Sequence, residues 1–524
     1  MSEHAQRGPA KGLMDEDGRG PRVRLPDDEA SSRMQLAMLR KVGPGMLVLV
    51  LCVVATYVVP SLRFARPWTQ DDPVPFWNLL GRPFEAAALQ ERKQQVAKVD
   101  AIAQEVLAQE SEPVVVAEPE PVVVVEPDVG FVLPPYEPHP DDAKAVEQSV
   151  ELPTGHELDR FFDALAHSDA SVAGAVTRVV HWGDSAIGID GIPSAIRKRL
   201  QARFGDGGHG FHLMAPPNTS YRHRGIHFSH NGQWGLCFII HKCRSDGHYG
   251  LGGATFRSSG GAQSSFGPDP KHSAGRVSRF VVHYAAQPRG GRIRLRVDGQ
   301  EPVFLSTEAD VLEDRVHVLE VDDGPHELQV RASGGGRVRL YGVVMERDGP
   351  GVVWDGLALV GAFTRRLLEF DETHLRDQLA QRQPHLAVLT FGGNDMVRRI
   401  SMETFEQEYR QVLQRLREAR PQMDCLVMSP LDHGERKGVR IVSLPVVSAM
   451  VEAQRRAARA EGCAFFDTVA AMGGDGAAGR WRKADPPLLS GDLAHLTVAG
   501  QKVVGQMVYL ALMEGYRAYR KREG

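Results

Sequence analysis

Three short stretches, far apart in the chain, hold the residue types that acyl transfer needs: Gly183-Asp184-Ser185, Gly392-Gly393-Asn394-Asp395 and Asp492-Leu493-Ala494-His495. A serine hydroxyl becomes a useful nucleophile only when a base removes its proton. His495 is a candidate base. The three-residue step from Asp492 lets one turn bring a carboxylate onto one ring nitrogen while the other faces the serine. Asn394 carries an amide N–H of the kind that stabilises the oxyanion of a tetrahedral intermediate, an interaction worth ~2.7–4 kcal/mol. Each motif alone is ordinary, since Gly-Asp-Ser is usually just a turn and Asp-x-x-His is common by chance. Their combination in one chain changes the odds. Asp184 is expected to brace the turn by accepting backbone N–H groups, and Trp182 to pack in the core.

These residues need elements that bring them to one edge of a sheet. VTRVVHWGDS (176–185) reads as a buried strand ending in a turn, and the helix after it places Ile192, Ile196, Leu200 and Phe204 on one face. HLAVLTFGGND (385–395), DCLVMSP (424–430) and CAFFD (463–467) are short apolar strands, separated by helical stretches around 405–416 and 446–460. A last helix carries Val503, Val504, Met507 and Leu510. Alternating strand and helix implies a parallel sheet covered on both faces. Ser185 and Asn394 both follow strands, at the carboxyl edge where such sheets present ligands. From about Pro216 to Met345 the rhythm changes to glycine-rich alternating runs such as GRIRLRVDGQEPVFLS and VHVLEVDDGPHELQVRAS. That pattern predicts an all-β unit inserted into the α/β domain.

The order Gly-Asp-Ser, Gly-x-Asn-Asp, Asp-x-x-His resembles the SGNH/GDSL hydrolase family. The resemblance implies a flavodoxin-like three-layer α/β fold and ester hydrolysis, with Ser185, His495 and Asp492 as triad. It also implies oxyanion donors from the Ser185 backbone, a glycine backbone and Asn394, with no cofactor or metal. DGPGVVWDGLALVGA (348–362) is similar to the stretch that supplies the glycine donor, written Asp-Ser-x-Gly-x-Asn-Gly-Ala in related enzymes. Gly356 stands where the serine is usual and Val360 where the asparagine is usual, so the donor falls on Gly361, with Gly356 as the other candidate. Stretches such as YRHRGIHFS and ARPQMDCLVMSPLD resemble bacterial peptidoglycan O-acetylesterase-like members, in which a jelly-roll or carbohydrate-binding-module-like sandwich interrupts the hydrolase. On that resemblance the substrate is an O-acetylated envelope glycan. A glycan-binding protein without turnover and an O-acetyltransferase using the same triad are the other readings.

Composition narrows the partners. With 62 Lys and Arg against 66 Asp and Glu, the net charge of −4 gives no electrostatic reason to expect nucleic acid. Residues 42–62 are almost wholly apolar and uncharged, long enough for one membrane span. Arg33, Arg40 and Lys41 before it outweigh Arg63 and Arg66 after it only slightly, leaning to an N-inside anchor in the inner membrane with the catalytic domain in the periplasm or outside. The expected organisation is a disordered tail (1–41), the anchor (42–62), and a juxtamembrane helix with a Glu-Pro-Val spacer (63–150). A first hydrolase segment (151–215), the β-insertion (216–345) and a second hydrolase segment (346–524) follow. The spacer's prolines favour extended polyproline chain. Cys237 and Cys243 could pair across a tight turn, but most of the five cysteines are expected to be buried free thiols. His209, His212, His223, His227, His230, His241 and His248 are dense, yet lack metal-motif spacing and read as polar sheet and loop positions.

Overall fold

Around Ser185 the expected strand, turn and helix form in that order. In the computed structural model, which describes residues 132–269 and 275–523 together with 44, 47–48, 51–59, 61–62, 103–104 and 106, α1 (Asp159–Asp169) leads into β1 (Val176–Gly183). A single turn at Ser185–Ile187 then enters α2 (Gly191–Phe204), whose Ile192, Ile196, Leu200 and Phe204 are all buried. The chain next builds two antiparallel sheets. It makes β2 (Gly208–Leu213), β3 (Ile226–His230), β4 (Gly235–Phe238), β5 (Ala254–Ser258), β6 (Gln263–Pro268) and β7 (Val277–Ala286). It continues through β8 (Arg292–Val297), β9 (Val303–Ser306), β10 (Glu313–Gly324), β11 (Leu328–Ala332) and β12 (Val338–Glu346). One sheet runs β10-β7-β12-β5-β4 with β2 also paired to β12, and the other runs β3-β6-β11-β8-β9. Apolar residues of both, such as Phe280, Val282 and Leu340 against Leu295, Leu328 and Val330, meet in one core. Alternation with period two predicted this sandwich, because a half-buried strand hides every second side chain.

The α/β pattern then resumes with β13 (Gly351–Ala358), α3 (Glu372–Arg382), β14 (Leu386–Thr390), α4 (Met402–Ala419) and β15 (Asp424–Met428). It ends with the hairpin β16 (Gly434–Lys437) and β17 (Arg440–Ser443), α5 (Pro445–Ala460), β18 (Ala464–Phe466), α6 (Ala477–Lys483) and α7 (Val498–Glu523). The parallel sheet has the order β13-β1-β14-β15-β18, which is 2-1-3-4-5 in order of appearance and agrees with the flavodoxin-like expectation. Successive residues of each strand face opposite layers. Val180, Trp182, Leu389 and Val427 join α3, α4 and α5, while Val179, Val388, Leu426 and Met428 join α1, α2 and α7.

Two boundaries differ from the sequence reading. The sandwich begins near Gly208 rather than 216, because β2 pairs antiparallel with β12 (Leu213 opposite Gly342) and so belongs to the insertion's sheet. The folded unit begins before 151. Residues 132–150, assigned to the spacer, lie against α7: the Tyr136 ring packs edge-on against Tyr516, Tyr509 donates to Asp141 at 2.5 Å, and Arg517 donates to the Asp142 carbonyl at 2.8 Å. The core of the insertion is continuous with the α3–α5 face of the parallel sheet. At that junction Glu346 of β12 accepts from Arg178 of β1, Arg279 of β7 and Arg382 of α3, tying four elements together.

The cysteines correct a further expectation. Cys237 pairs with Cys243, and Cys425 of β15 pairs with Cys463 just before β18, leaving only Cys52 free. The second pair follows from strand adjacency, since Leu426 sits opposite Ala464. Among the described residues no helix is long and apolar enough to cross a membrane, and the expected anchor over 42–62 lies partly outside them. Its described part is helical over 51–58, with Leu47, Val48, Leu51 and Val58 exposed. The tail over 1–41 and the spacer up to residue 131 lie outside the described residues. Of the juxtamembrane helix, Ala103, Gln104 and Val106 are described and helical, with Ala103 and Val106 buried against the α1–α2–α7 layer.

Candidate active site

Ser185 opens the turn that ends β1. Gly183 must be glycine there, because a Cβ would stand 2.7 Å from the Thr390 carbonyl of the neighbouring strand. Asp184 caps the turn, its Oδ1 accepting from the Ala186 N–H at 2.9 Å, as the sequence reading expected. Burial pushes the Asp184 carboxyl up to about 6; the Ala186 N–H works against this, and the charge of nearby Asp395 adds to it. Trp182 is fully buried and donates to the Leu251 carbonyl at 3.0 Å, so it packs.

His495 arrives from the loop between α6 and α7. Leu493 holds a left-handed φ of +64°, a costly conformation for a branched residue. That kink folds Asp492 back onto the imidazole: Asp492 Oδ2 lies 2.8 Å from His495 Nδ1, while Oδ1 accepts from the Ser490 hydroxyl and from the Ala494 and His495 N–H groups. Although burial alone would raise it, these donors hold the Asp492 carboxyl well below the usual carboxylate range. On the far side of the ring, His495 Nε2 lies 2.8 Å from Ser185 Oγ. The three residues named from sequence are thus in one hydrogen-bonded line. The line is open to solvent, with the side chains of His495 and Asp492 49% and 54% exposed.

Asn394 follows β14 and lines the same pocket, whose volume is about 210 Å³. One amide hydrogen is committed to the Ala362 carbonyl at 3.1 Å, which fixes the plane of the group and leaves the other free. Asp395 accepts from the backbone and hydroxyl of Thr364, pinning the Asn394 loop to the segment after β13. That segment lies beside the Ser185 turn: Leu359 donates to the Gly183 carbonyl at 2.7 Å, and a Cβ on Gly188 would meet Val360. Gly361 sits in this loop at φ +87° but is not among the residues lining the pocket. Gly356 lies mid-strand opposite His181, under Asp190 and Pro193. It is therefore away from the edge where an oxyanion would form.

One titratable pocket residue escaped the sequence reading. His433, just past β15, donates from Nδ1 to the Leu431 carbonyl at 2.8 Å, which turns Nε2 toward Gly393. Its position at a strand's carboxyl end was the available signal. The next residue, Gly434, donates to the Leu493 carbonyl, so this loop backs directly onto the Asp492–His495 turn.

The histidines counted in the sequence scatter. His209, His212 and His223 are buried against backbone carbonyls. One of the seven, His248, does join a cluster with two residues the sequence reading did not single out: the ligand atoms of His248, Asp314 and His374 lie within 4.8 Å of one another. It suits a hydrogen-bond chain better than a metal. His374 Nε2 accepts from the Gly250 N–H at 2.8 Å, so Nδ1 must keep its proton and donates to Asp314 at 2.5 Å.

Residues 327–503 match the model of the GDSL-like Lipase/Acylhydrolase family. The chain carries a domain of that family. Among solved structures, one of a peptidoglycan O-acetylesterase superposes with a TM-score of 0.58 at 21% identity, covering 68% of this chain and 96% of that one. At that identity the likeness establishes the fold. A family two carbohydrate esterase from Cellvibrio japonicus (TM-score 0.17, 13% identity, 45% of this chain and 85% of that one) and an acetyl xylan esterase (0.23, 18%, 30% and 79%) align more weakly. No curated protein sequence matches the chain. The GDSL-like domain makes the protein a carboxylic ester hydrolase.

Proposed function

We propose that this GDSL-like hydrolase removes O-acetyl groups from an envelope glycan, with Ser185 as nucleophile. His495 takes the Ser185 proton as Oγ attacks the acetyl carbonyl, and Asp492 holds the ring and the charge it gains. The oxyanion is met by the Asn394 amide and by backbone N–H groups of Ser185 and the Gly361 loop. Collapse of this intermediate expels the sugar hydroxyl, to which His495 returns the proton. Water, activated by the same imidazole, then releases acetate. The single observation that carries the reading is the continuous 2.8 Å and 2.8 Å relay from Ser185 through His495 to Asp492.

The shape of the pocket supports an acetyl substrate. A pocket of about 210 Å³ is small, which favours a short acyl group over a lipid chain. A half-exposed triad leaves room for a polymer outside. The anchor over 42–62 and an oxidising compartment outside the inner membrane belong to the same proposal. They are supported by the exposed apolar residues of that segment and by two disulfides, which persist where thiols are not kept reduced. Resistance of the protein to carbonate extraction from membranes tests the anchor.

For the catalytic reading, Ser185→Ala is expected to lower p-nitrophenyl acetate turnover at least 10³-fold, and a fluorophosphonate probe to label Ser185 alone. Wild-type turnover in the variant would end the assignment. Release of acetate from O-acetylated peptidoglycan, compared with O-acetylated xylan, decides between glycans.

A further inference from the structure

We infer that the outward face of the sandwich sheet β3-β6-β11-β8-β9 is a binding site for a carboxylate-bearing glycan. Along β8, Ile293, Leu295 and Val297 point into the core, so Arg292, Arg294 and Arg296 point out. On β11, Leu328 and Val330 are inward and Gln329 and Arg331 outward. The register sets Arg294 between Arg331 on one side and Phe304 of β9 on the other. Guanidiniums on adjacent strands at such spacing repel one another.

Elsewhere in this chain buried arginines meet carboxylates, as Arg197 meets Asp190 and Arg382 meets Asp355. On this face none does among the described residues. Arg294 is held by the Gln329 amide oxygen at 2.6 Å, and its buried Nε has no partner; Arg296 reaches only the Gly299 carbonyl. Within a chain of net charge −4, such an unpaired row is a place for an anion. The guanidinium fork matches a carboxylate in two parallel hydrogen bonds.

The row ends in a hollow of about 310 Å³, lined by Arg294, Phe304, Arg331 and the glycine-rich turns at Gly260-Gly261 and Ser333-Gly334. Phe304 is 60% exposed on the edge strand, an apolar platform with nothing of its own to cover. A phenyl beside guanidiniums and side-chain amides suits a sugar ring: its C–H face packs on the aromatic and its carboxylate reaches the forks. A row that only discouraged strand pairing would need charge on β9, the edge, whereas the arginines sit one and two strands inside it.

The site stands whether or not Ser185 turns over an ester, and its test is separate. Oligogalacturonate and neutral maltohexaose are titrated calorimetrically into the full chain at 0.15 M NaCl. Oligogalacturonate is expected to bind at least tenfold more tightly. The double variant Arg294→Gln/Arg331→Gln and the single variant Phe304→Ala are each expected to weaken it at least tenfold, with melting temperature and p-nitrophenyl acetate turnover unchanged. No binding of oligogalacturonate, or binding equal in parent and variants, overturns the proposal. So does equal binding of a single-stranded oligonucleotide that Phe304→Ala leaves untouched, which would mark a general polyanion surface.

Discussion

His495 takes its orientation from one carboxylate whose two oxygens together meet a hydroxyl, two backbone N–H groups and the ring. Asn394 is fixed in a comparable way, by its bond to the Ala362 carbonyl. A pre-set donor strengthens most as charge develops, so Asn394→Ala is expected to lower kcat by ~10²–10³-fold with little change in KM, about 2.7–4 kcal/mol of transition-state stabilisation. Steady-state kinetics on p-nitrophenyl acetate read this directly. Asp184 gives a prediction of another kind. Its folded carboxyl titrates at about 6 rather than 3.8, so the native state holds that proton more tightly than the unfolded chain does. Stability from this group is therefore greatest in acid and falls as pH rises from about 4 to about 6, staying flat above. At pH 7.5 the buried charge costs about 3 kcal/mol. Asp184→Asn keeps an acceptor for the Ala186 N–H and removes the charge. It is expected to melt higher than the parent at pH 7.5 and level with it at pH 4.5; an equal gain at both would point to packing instead.

Neighbouring strands β15 and β18 are joined twice, by hydrogen bonds and by Cys425–Cys463. The bridge closes a sequence separation of 38, against 6 for Cys237–Cys243. Chain entropy in the unfolded state makes the longer loop worth about 4 kcal/mol and the shorter about 2. Cys425→Ser/Cys463→Ser is accordingly expected to lose about 4 kcal/mol in urea unfolding, more than Cys237→Ser/Cys243→Ser. Both cysteines of the longer bridge were read correctly as lying on or beside short buried strands. Their pairing was not legible, because it depends on which strands become neighbours and in what register. The same holds for β2, whose residues look like part of the hydrolase until β12 supplies its partner.

The protein as a whole buries many imidazoles in neutral form. Burial lowers His181 and His283 to about 3 and His212 and His385 to about 4, with Arg382 adding to the effect at His283 and Arg178 at His385. The unfolded chain takes up these protons near the ordinary histidine value, while the folded chain refuses them. Stability from these groups is thus lost as pH falls from about 6.5 toward about 4. Asp184 and Asp424, each raised to about 6 chiefly by burial, and Asp395 and Asp432, also raised by burial, oppose this over the lower part of the window, but these four carboxyls face eight imidazoles once His209, His223, His374 and His433, likewise lowered by burial, are included. The melting temperature is expected to fall steadily from pH 6.5 to 4.5. A rise over that range would mean that the buried histidines are protonated in the native state. Because insertion and hydrolase share a core, one cooperative transition is expected rather than two.

Local pattern was enough to reach the strand–turn–helix at Ser185, the alternation of the α/β domain, the sandwich and the residue types of the relay. Hydrophobic periodicity and turn chemistry act over a few residues and are written along the chain. The placing of Gly356 in mid-strand, the entry of His433, the Cys425–Cys463 bridge, the packing of residues 132–150 against α7 and the unpaired arginine face were decided only by folding. Each depends on which distant segments lie side by side, and adjacency is set by packing and strand order rather than by any neighbouring residues.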